Sequence, residues 1–274
     1  MVDSVKNYLT LAYINIHGQT GLEYSKQVQI EQFIRLYNVD IAHCQEIDIQ
    51  SESFEKYDYI NSSFNIIANN AINKYGTCSI VSNTLETAII KTDKSGRVIV
   101  FDISYFSFGN VYLPSGNDPI KRRGRKDYFS EILPQLLINR KSSGVIKGDW
   151  NSVINDKDAT RNVSQKMSPT LKRLVSSFSF KDSYRVLHPN ENVFSHYHDQ
   201  GKFGNGATRI DRQYHWGDLT ILEAKYIGIA FSDQQALLIK VRFQNFGYKV
   251  VAPHLKPLFK AKPDVVKGPT IKQR

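Results

Sequence analysis

Acidic, amide and phenolic side chains recur in this sequence at the points where strand-like segments end. Such positions come from widely separated parts of the chain: Asn15, Glu46, Tyr112, Asp149, Asn151, Asp211 and Asp233. If the strands deliver these side chains to one rim, their hard oxygen atoms would suit Mg²⁺, which takes one or two carboxylates together with water and substrate phosphate. Such a rim could hydrolyse a phosphate ester, with a water activated near the metal and donors placed for the charge that builds on phosphorus.

The same residues could also have ordinary structural roles. The residue types alone do not decide between these roles and catalysis. Asp and Asn at strand ends commonly form turns. Glu46 could be a surface acid, and Asp211 could form an ion pair with Arg209 or Arg212. A catalytic rim and a set of unrelated turns are therefore alternatives at this point.

Strand-like segments outnumber helical ones along the chain. Runs rich in β-branched and aromatic residues predict strands at 8–16, 39–46, 64–68, 77–82, 87–92, 97–103, 106–113, 143–148, 209–216, 221–229 and 236–243. Apolar side chains at helical spacing predict helices over 26–37, 125–138 and 168–178, with Pro134 ending or kinking the second and Ser168 capping the third. Strands punctuated by helices predict an α/β class in which mixed sheets pack as a layered sandwich.

The chain of 274 residues carries 36 Lys and Arg against 26 Asp and Glu, which gives a formal charge of +10. A basic surface favours phosphate-bearing partners, although part of the excess lies in residues 246–274, where prolines alternate with lysines. We interpret 1–245 as the folded domain and 246–274 as a basic tail or linker rich in proline and lysine.

Two further features narrow the class of protein. No apolar run is long enough to span a bilayer, and the N-terminal residues lack the pattern of a secretion signal, so we expect a protein that is neither membrane-bound nor secreted. Cys44 and Cys78 both stand in apolar strand-like runs. We interpret them as buried core residues in a reducing compartment, because two cysteines make neither a disulfide framework nor a zinc site.

Short segments of the chain also match the motifs of a known family, in the family's order. They are YINIHG at 13–18, CQEID at 44–48, YGTCSIVS at 75–82, GNVYLPSG at 109–116, IKGDWNS at 146–152, DSYRVLHP at 182–189, TRIDRQY at 208–214 and FSDQQA at 231–236. Together they resemble the apurinic-endonuclease-like endonuclease domain of LINE-type (non-LTR) retrotransposons, within the endonuclease/exonuclease/phosphatase superfamily. The segment DSYRVLHP points toward the retrotransposon enzymes more than toward DNA-repair or lipid-phosphatase relatives. The resemblance implies a four-layer α/β sandwich of two packed mixed β-sheets flanked by helices.

A divalent metal site is the first implication of this resemblance for the chemistry. Glu46 would be the main ligand for Mg²⁺, with Mn²⁺ as an alternative. Asn15 would lie beside it and help to place metal and phosphate, and Asp233 would lie near the metal or the leaving-group oxygen.

The hydrolytic step is the second implication. Asp149 would orient or deprotonate the attacking water, or serve the leaving group, while Asn151 and Tyr112 would donate hydrogen bonds to the phosphate. Asp211 would hold a histidine that follows Asp233 in the family. Water would attack in line without a covalent intermediate and leave a 3′-hydroxyl, which in a retroelement would prime reverse transcription.

The chain departs from the family pattern at that histidine, because the family ends Ser-Asp-His and this chain reads Ser232-Asp233-Gln234. Glutamine has an amide donor and acceptor but no charge and no proton to exchange. Loss of a positioned acid–base group typically costs about 10²–10⁴ in rate, so we predict an impaired nickase. His215 would lie roughly 13 Å along the strand from Asp211, and we interpret His17 as a loop histidine that does not replace the missing one.

Two segments are candidates for contact with DNA. The basic run Lys121, Arg122, Arg123, Arg125 and Lys126 could contact phosphates, form a nuclear-import signal or begin a solvated helix. The resemblance favours phosphate contacts. Residues 194–207 are typical of a long hairpin loop, which the resemblance implies would probe DNA beside the nick, unless it is an ordinary surface hairpin. The resemblance also implies DNA contacts for Ser195, Lys202, Thr208 and Arg209.

Three hypotheses for the function follow. The first is a Mg²⁺-dependent DNA nickase of a retrotransposon, impaired at Gln234. It would be nuclear, act as a monomer on double-stranded DNA, and work with element RNA and a reverse-transcriptase domain in cis or in trans. The second is a catalytically inactive nucleic-acid-binding derivative, and the third is another phosphodiesterase or phosphatase of the superfamily, against which the basic charge weighs.

Overall fold

The chain folds as two six-stranded mixed β-sheets packed face to face with helices on their outer faces, in a computed structural model that describes residues 5–17, 24–47, 63–69, 76–160, 167–198, 206–244, 246 and 248–249. In chain order the strands are β1 (Val5–Lys6), β2 (Leu9–Asn15), β3 (Ile41–Ile47), β4 (Phe64–Asn69), β5 (Gly76–Ser82), β6 (Thr87–Thr92), β7 (Val98–Ile103), β8 (Phe106–Tyr112), β9 (Ser143–Asp149), β10 (Lys181–Asp182), β11 (His196–His198), β12 (Gly206–Thr208), β13 (Asp211–Trp216), β14 (Leu219–Ile227), β15 (Ala236–Phe243) and β16 (Tyr248–Lys249). The helices are α1 (Tyr24–Leu36), α2 (Pro119–Asp127), α3 (Leu133–Leu137), α4 (Pro169–Ser177) and α5 (Ser183–Leu187). The predicted four-layer α/β sandwich is therefore confirmed.

The first sheet has the strand order β14-β15-β2-β3-β5-β4, and the second has the order β10-β13-β9-β8-β7-β6. Each contains one parallel pair, β2 with β3 and β8 with β9, and its other pairs are antiparallel. A parallel pair needs a crossover, which α1 supplies in the first sheet and the helical stretch from α2 to α3 supplies in the second. Both crossovers leave the carboxyl ends of these central strands at one rim of the sandwich.

The outer faces of the sheets are covered as the sequence predicts. Ile30, Phe33 and Ile34 of α1 pack on the first sheet. Leu133 of α3 and Leu171 of α4 belong to the cluster on the second sheet. Burying such side chains contributes about 1.5–3 kcal/mol each relative to leaving them exposed. Among the described residues, no helix is long and apolar enough to cross a membrane.

The helix predicted over 125–138 is longer and more irregular than expected. It begins at Pro119 because the Asp118 side chain accepts a hydrogen bond from the Lys121 N–H and caps the helix. A π-helical segment over Tyr128–Ile132 then leads directly into α3, which contains Pro134 in its first turn. A change of hydrogen-bond pattern just before a proline accommodates its missing N–H, so the helix continues where the sequence predicted an end or kink. The predicted cap of α4 is confirmed, since Ser168 Oγ accepts from Leu171 N at 3.2 Å.

The residues of β9 that face the space between the sheets change from apolar to basic to acidic along the strand. On β9, the alternating residues Val145, Lys147 and Asp149 follow this order, and all are buried. Their register partners on β8 are Phe108, Asn110 and Tyr112, and on β13 they are His215, Gln213 and Asp211. Lys147 donates to the Leu237 carbonyl across the gap at 3.4 Å, and burial holds its pKa well below the usual value. The polar end of this gradient is the rim that carries the candidate site.

The prediction that Cys44 and Cys78 are buried core residues is confirmed, and the two lie unbridged directly opposite each other on β3 and β5. Beyond the domain boundary predicted at residue 245, β16 at Tyr248–Lys249 still pairs with β1. Residues 250–274 lie outside the described part of the chain, and their role as a tail stays a prediction.

Candidate active site

Strand register brings the predicted residues of the second sheet side by side. Asp149 at the end of β9 is the register partner of Tyr112 on β8 and of Asp211 on β13. Neighbouring strands lie about 4.8 Å apart, so these three side chains form one row. They are 2%, 3% and 0% exposed, which makes them components of a buried site rather than turn formers on the surface.

The turn after β9 aims two of the predicted residues at the same rim. Trp150 points to the outer face, where it packs in the helix-covered cluster and its indole N–H donates to the Arg212 carbonyl at 3.2 Å. Asn151 adopts φ of 44°, and its N–H donates to Asp149 Oδ1 at 2.8 Å while its Nδ2 donates to the Leu113 carbonyl at 2.9 Å. A non-glycine residue in this left-handed region is strained and is held there by its contacts. The turn therefore fixes Asp149 and Asn151 relative to each other.

The first sheet contributes Asn15 and Glu46 from the parallel pair β2 and β3. Glu46 is an extra residue in β3 opposite β5 and has a φ of 56°, which turns its side chain out of the regular alternation. Asn15 Nδ2 donates to Glu46 Oε1 at 3.0 Å, and Asn15 Oδ1 accepts from His17 N at 2.8 Å. The bulge thus delivers the carboxylate of Glu46 to the amide of Asn15.

A metal ion at this rim would be held in the way that Mg²⁺ prefers. Glu46 and Asn15 offer oxygen ligands, and no group of three or more His, Cys, Asp or Glu within the described ranges is arranged to hold a metal alone. Mg²⁺ keeps several waters and is usually bound by one or two carboxylates plus substrate phosphate. The residues present fit such an ion, with water and phosphate completing its coordination.

Tyr112 is a hydrogen-bond donor at this rim. Burial, followed by the nearby carboxylates of Glu46 and Asp149, raises the pKa of its hydroxyl well above the usual value. The hydroxyl therefore keeps its proton at neutral pH and can donate to a phosphate oxygen.

Asp211 is fully buried, and burial raises the pKa of its carboxyl to about 6. The hydroxyls of Ser195 and Tyr13 and the charge of Arg212 act in the opposite direction. The ion pair with Arg209 or Arg212 that the sequence left open does not form; Arg209 bonds instead to Asp158 at 2.8 Å and Asp182 at 2.6 Å, and Arg212 lies 3.5 Å from Asp158.

Gln234, at the position where the motif resemblance implies a histidine, reaches Asp211. In the amide orientation that pairs donors with acceptors, Nε2 donates to the two carboxylate oxygens of Asp211 at 3.0 and 3.1 Å, and Oε1 accepts from Asn15 Nδ2 at 3.1 Å. With the bond from Asn15 to Glu46, the hydrogen bonds run continuously from Asp211 to Glu46. The glutamine thus fills the histidine position as a neutral bridge between the two sheets.

Asp233 lies at the outer edge of the site. Its side chain is 45% exposed, with His17 Nδ1 at 3.1 Å and His196 Nε2 at 3.9 Å. Its predicted role near the metal stays a prediction. His215, by contrast, is remote as expected, since it is the register partner of Lys181 and bonds to Ser183 Oγ at 2.9 Å.

The basic run predicted to contact DNA lies on α2, which exposes some of its side chains and buries another. Four of its side chains are exposed on α2 and are called here the α2 basic face: Lys121, Arg122, Arg123 and Lys126. Arg125 is buried, and its Nη1 donates to the carbonyls of Pro114 and Gly116 at 2.7 Å each. Arg125 therefore fastens the helix to the loop after Tyr112 and is not available as a DNA contact.

The other residues predicted to contact DNA lie elsewhere. Ser195, Thr208 and Arg209 are at most 1% exposed. Ser195 Oγ accepts from the backbone N–H of Asp211 at 3.1 Å, which supports the site from within. These three buried side chains are therefore not exposed for contact with DNA. Lys202 lies outside the described residues.

Tyr13 and Arg97 belong to this site but were not predicted from the sequence. Tyr13 precedes Asn15 by two residues on β2, so strand alternation places both on one face and was a usable signal. Arg97 stands in a turn, and only the pairing of β7 with β8 brings it beside Tyr112. No sequence pattern marks it.

Neither models of protein families nor curated protein sequences match this chain. Solved structures do. An AP endonuclease from Archaeoglobus fulgidus has a TM-score of 0.69 at 17% identity, covering 86% of this chain and 99% of that one. The AP endonuclease LMAP from Leishmania major has a TM-score of 0.68 at 13% identity, covering 86% and 88%. The 3′ phosphatase NExo from Neisseria, bound to a product DNA hairpin, has a TM-score of 0.67 at 16% identity, covering 84% and 98%. The chain therefore has the endonuclease/exonuclease/phosphatase-type fold of these proteins.

Proposed function

We propose that this chain is a Mg²⁺-dependent DNA endonuclease domain of the LINE-type retrotransposon class, whose turnover is slowed by Gln234. The observation that carries the proposal is the convergence of Glu46 and Asn15 from one sheet with Asp149 and Tyr112 from the other at a single rim. The fold shared with AP endonucleases and a 3′ phosphatase supports the same chemistry.

Each residue has a defined task in this proposal. A Mg²⁺ ion held by Glu46 and Asn15 would supply Lewis acidity toward the phosphate. Asp149, fixed by the Asn151 N–H at 2.8 Å, orients the attacking water and accepts its proton. The Tyr112 hydroxyl and the second Nδ2–H of Asn151 donate to the phosphate oxygens, where negative charge grows as water attacks.

Gln234 lowers the rate because its side chain offers the phosphate no charge and no exchangeable proton. Its Nε2 is engaged by Asp211 and its Oε1 faces the Asn15 amide. No proton that titrates near neutral pH is available from this side chain. Loss of such a positioned acid–base group costs about 10²–10⁴ in rate.

The α2 basic face supports DNA as the substrate. Its four exposed cations lie on the helix that Arg125 fastens to the loop after Tyr112, so they flank the rim that carries the site. Cations in this position would bind the phosphate backbone and contribute affinity rather than sequence choice. The retrotransposon context, the nuclear location, the reverse-transcriptase partner and priming from the 3′-hydroxyl are proposed on the motif resemblance.

A second function is favoured by the closed hydrogen-bond chain through Gln234. The Gln234 amide satisfies the hydrogen-bonding groups of Asp211 and Asn15 without a bound ion or a titratable proton. These hydrogen bonds hold the region together whether or not the protein cleaves DNA. A DNA-binding derivative that no longer cleaves is therefore the alternative.

Nicking of supercoiled plasmid with and without Mg²⁺ tests both functions. We expect slow nicking that needs Mg²⁺ and that disappears in Glu46→Gln and Asp149→Asn. DNA binding without any Glu46-dependent nicking would support the alternative function instead. Release of phosphate from inositol phosphates at a rate above that of DNA nicking would favour a phosphatase and contradict both.

A further inference from the structure

Arg97 is bonded to Tyr112 through both backbone and side chain. Its guanidinium carbon lies 4.9 Å from the centroid of the Tyr112 ring, and its Nη1 donates to the Tyr112 carbonyl at 3.3 Å. The Tyr112 N–H in turn donates to the Arg97 carbonyl at 2.8 Å. One half-buried cation thus covers the face of the tyrosine whose hydroxyl points to the site.

The turn that carries Arg97 is held rigidly by Asp93. Asp93 Oδ1 accepts from the N–H groups of Arg97 and Val98 at 2.7 Å each, and Oδ2 accepts from the Tyr128 hydroxyl at 2.6 Å. Burial raises the pKa of Asp93, but the hydrogen bonds from Ser95, Tyr128 and these N–H groups outweigh it and hold that pKa below the usual value. The carboxylate therefore stays ionised, and Arg97 has a fixed starting point.

The hydroxyl of Tyr112 is held by the loop that follows β8. Ser115 hydrogen-bonds to the Tyr112 side chain, and its flanking carbonyls, Pro114 and Gly116, accept from Arg125. Ser115 restrains the ring at one point, its hydroxyl. The guanidinium over the ring face adds a second restraint, because tilting the ring plane would weaken the cation–π contact.

We propose that Arg97 is a positioning residue for Tyr112, which fixes the plane of the ring and so the direction in which its hydroxyl donates to the phosphate. The inference rests on the proposed phosphodiester hydrolysis and deepens it by adding a residue that acts through Tyr112. An uncharged side chain of similar length can fill the space but cannot hold the ring by a cation–π contact.

Single-turnover cleavage of an end-labelled DNA duplex, with protein in excess, tests this role even when turnover is slow. We expect Arg97→Met to lower the saturating rate about tenfold, because a misdirected donor loses much of its effect. The protein concentration at half-saturation should change little. Arg97→Lys, which restores the cation, should recover most of the rate.

A double-mutant cycle separates positioning from a general structural effect. Tyr112→Phe removes the hydroxyl, so Arg97→Met should then cause no further loss if Arg97 acts through it. Arg140→Met is the matched control, because Arg140 stacks on Phe178 at 4.6 Å at a distance from the site, and it should leave the rate unchanged. Additive losses of rate from Arg97→Met and Tyr112→Phe would overturn the inference. So would an effect of Arg97→Met that is confined to the protein concentration at half-saturation.

A measurement without DNA keeps the inference separate from the proposed function. The aromatic NMR resonances of Tyr112, assigned with Tyr112→Phe, should shift in Arg97→Met and move back in Arg97→Lys. If they do not move, the positioning role is wrong whether or not the chain cleaves DNA. If they move while no Glu46-dependent cleavage occurs, the proposed function fails and the contact itself stands.

Discussion

Replacing Gln234 with histidine is the most informative perturbation of this site. Gln234 Nε2 already donates to both oxygens of Asp211, at 3.0 and 3.1 Å, and the side chain is only 7% exposed. An imidazole here can donate one N–H to Asp211 and direct the other toward the phosphate, as the motif resemblance implies. The environment for the histidine therefore exists in this chain.

The expected gain follows from the group that is restored. A positioned acid–base group contributes about 10²–10⁴ in rate, which corresponds to about 3–5 kcal/mol of activation free energy. Imidazolium beside Asp211 also offsets the burial that now raises the pKa of that carboxyl to about 6. We therefore expect Gln234→His to lower the pKa of Asp211 as well as to raise the rate.

The assay is Mg²⁺-dependent plasmid nicking over a range of pH, with Gln235→His as the matched control. Gln235 is the next residue in the chain and its N–H bonds to the Ser195 carbonyl at 2.9 Å. A histidine there adds the same group without reaching the Asp211 carboxylate. Gln234→His should also show a rate that depends on the ionisation of the new imidazole near neutral pH.

Two results would refute this reasoning. If Gln234→His and the parent chain nick equally well, the glutamine is not what limits turnover. If the gain survives Asp211→Asn in the same chain, the new histidine does not work through the carboxylate that contacts position 234.

Three further predictions concern other parts of the molecule. Neutralising the α2 basic face should flatten the dependence of log K for DNA on log salt by about 0.9 for each lost phosphate contact, and titrations at several salt concentrations measure this slope. Asp158→Asn should lower the free energy of unfolding by about 3–5 kcal/mol, because it leaves Arg209 and Arg212 buried beside a neutral partner. Urea unfolding measures this loss. Glu223→Gln, at a half-exposed ion pair, is the control and should lower the free energy of unfolding by less than about 1 kcal/mol. Burial lowers the pKa of His215 to about 4. Its stabilising contribution is therefore present above about pH 6.5 and is lost as the pH falls toward 4. Between pH 7 and pH 4.5, the free energy of unfolding should fall less in His215→Gln than in the parent chain.

Each of these predictions has a result that contradicts it. An unchanged salt slope would exclude the α2 basic face as a DNA contact. An Asp158→Asn loss no larger than that of Glu223→Gln would mean that the arginines find other partners. Equal pH dependence in His215→Gln and the parent chain would show that the buried imidazole is charged at little cost.

Strand alternation explains which parts of the site could be predicted from the sequence. Side chains two apart on a strand share a face, so the apolar and polar runs predicted most strands and placed Asn15, Glu46 and Asp149 at their ends. The motif order added the expectation that these ends meet. The sequence carries no comparable signal for Arg97, which stands in a turn and gains its role only when β7 pairs with β8.

Side-chain direction is where sequence reasoning failed. The basic run on α2 contains five cations, but one turn of a helix points some residues outward and others inward. Arg125 falls on the inward side and bonds to the Pro114 and Gly116 carbonyls. The charges of Arg209 and Arg212 likewise serve Asp158 inside the protein, although the sequence offered Asp211 as their nearest partner.

The sequence by itself determined the types of group available, the strands that carry them, and the substitution of glutamine for histidine at position 234. Only the tertiary structure decided that Gln234 reaches both Asp211 and Asn15 and so joins the two sheets. The physical reason is that strand periodicity is local, whereas the distance between side chains on different strands depends on register and on how the sheets face each other.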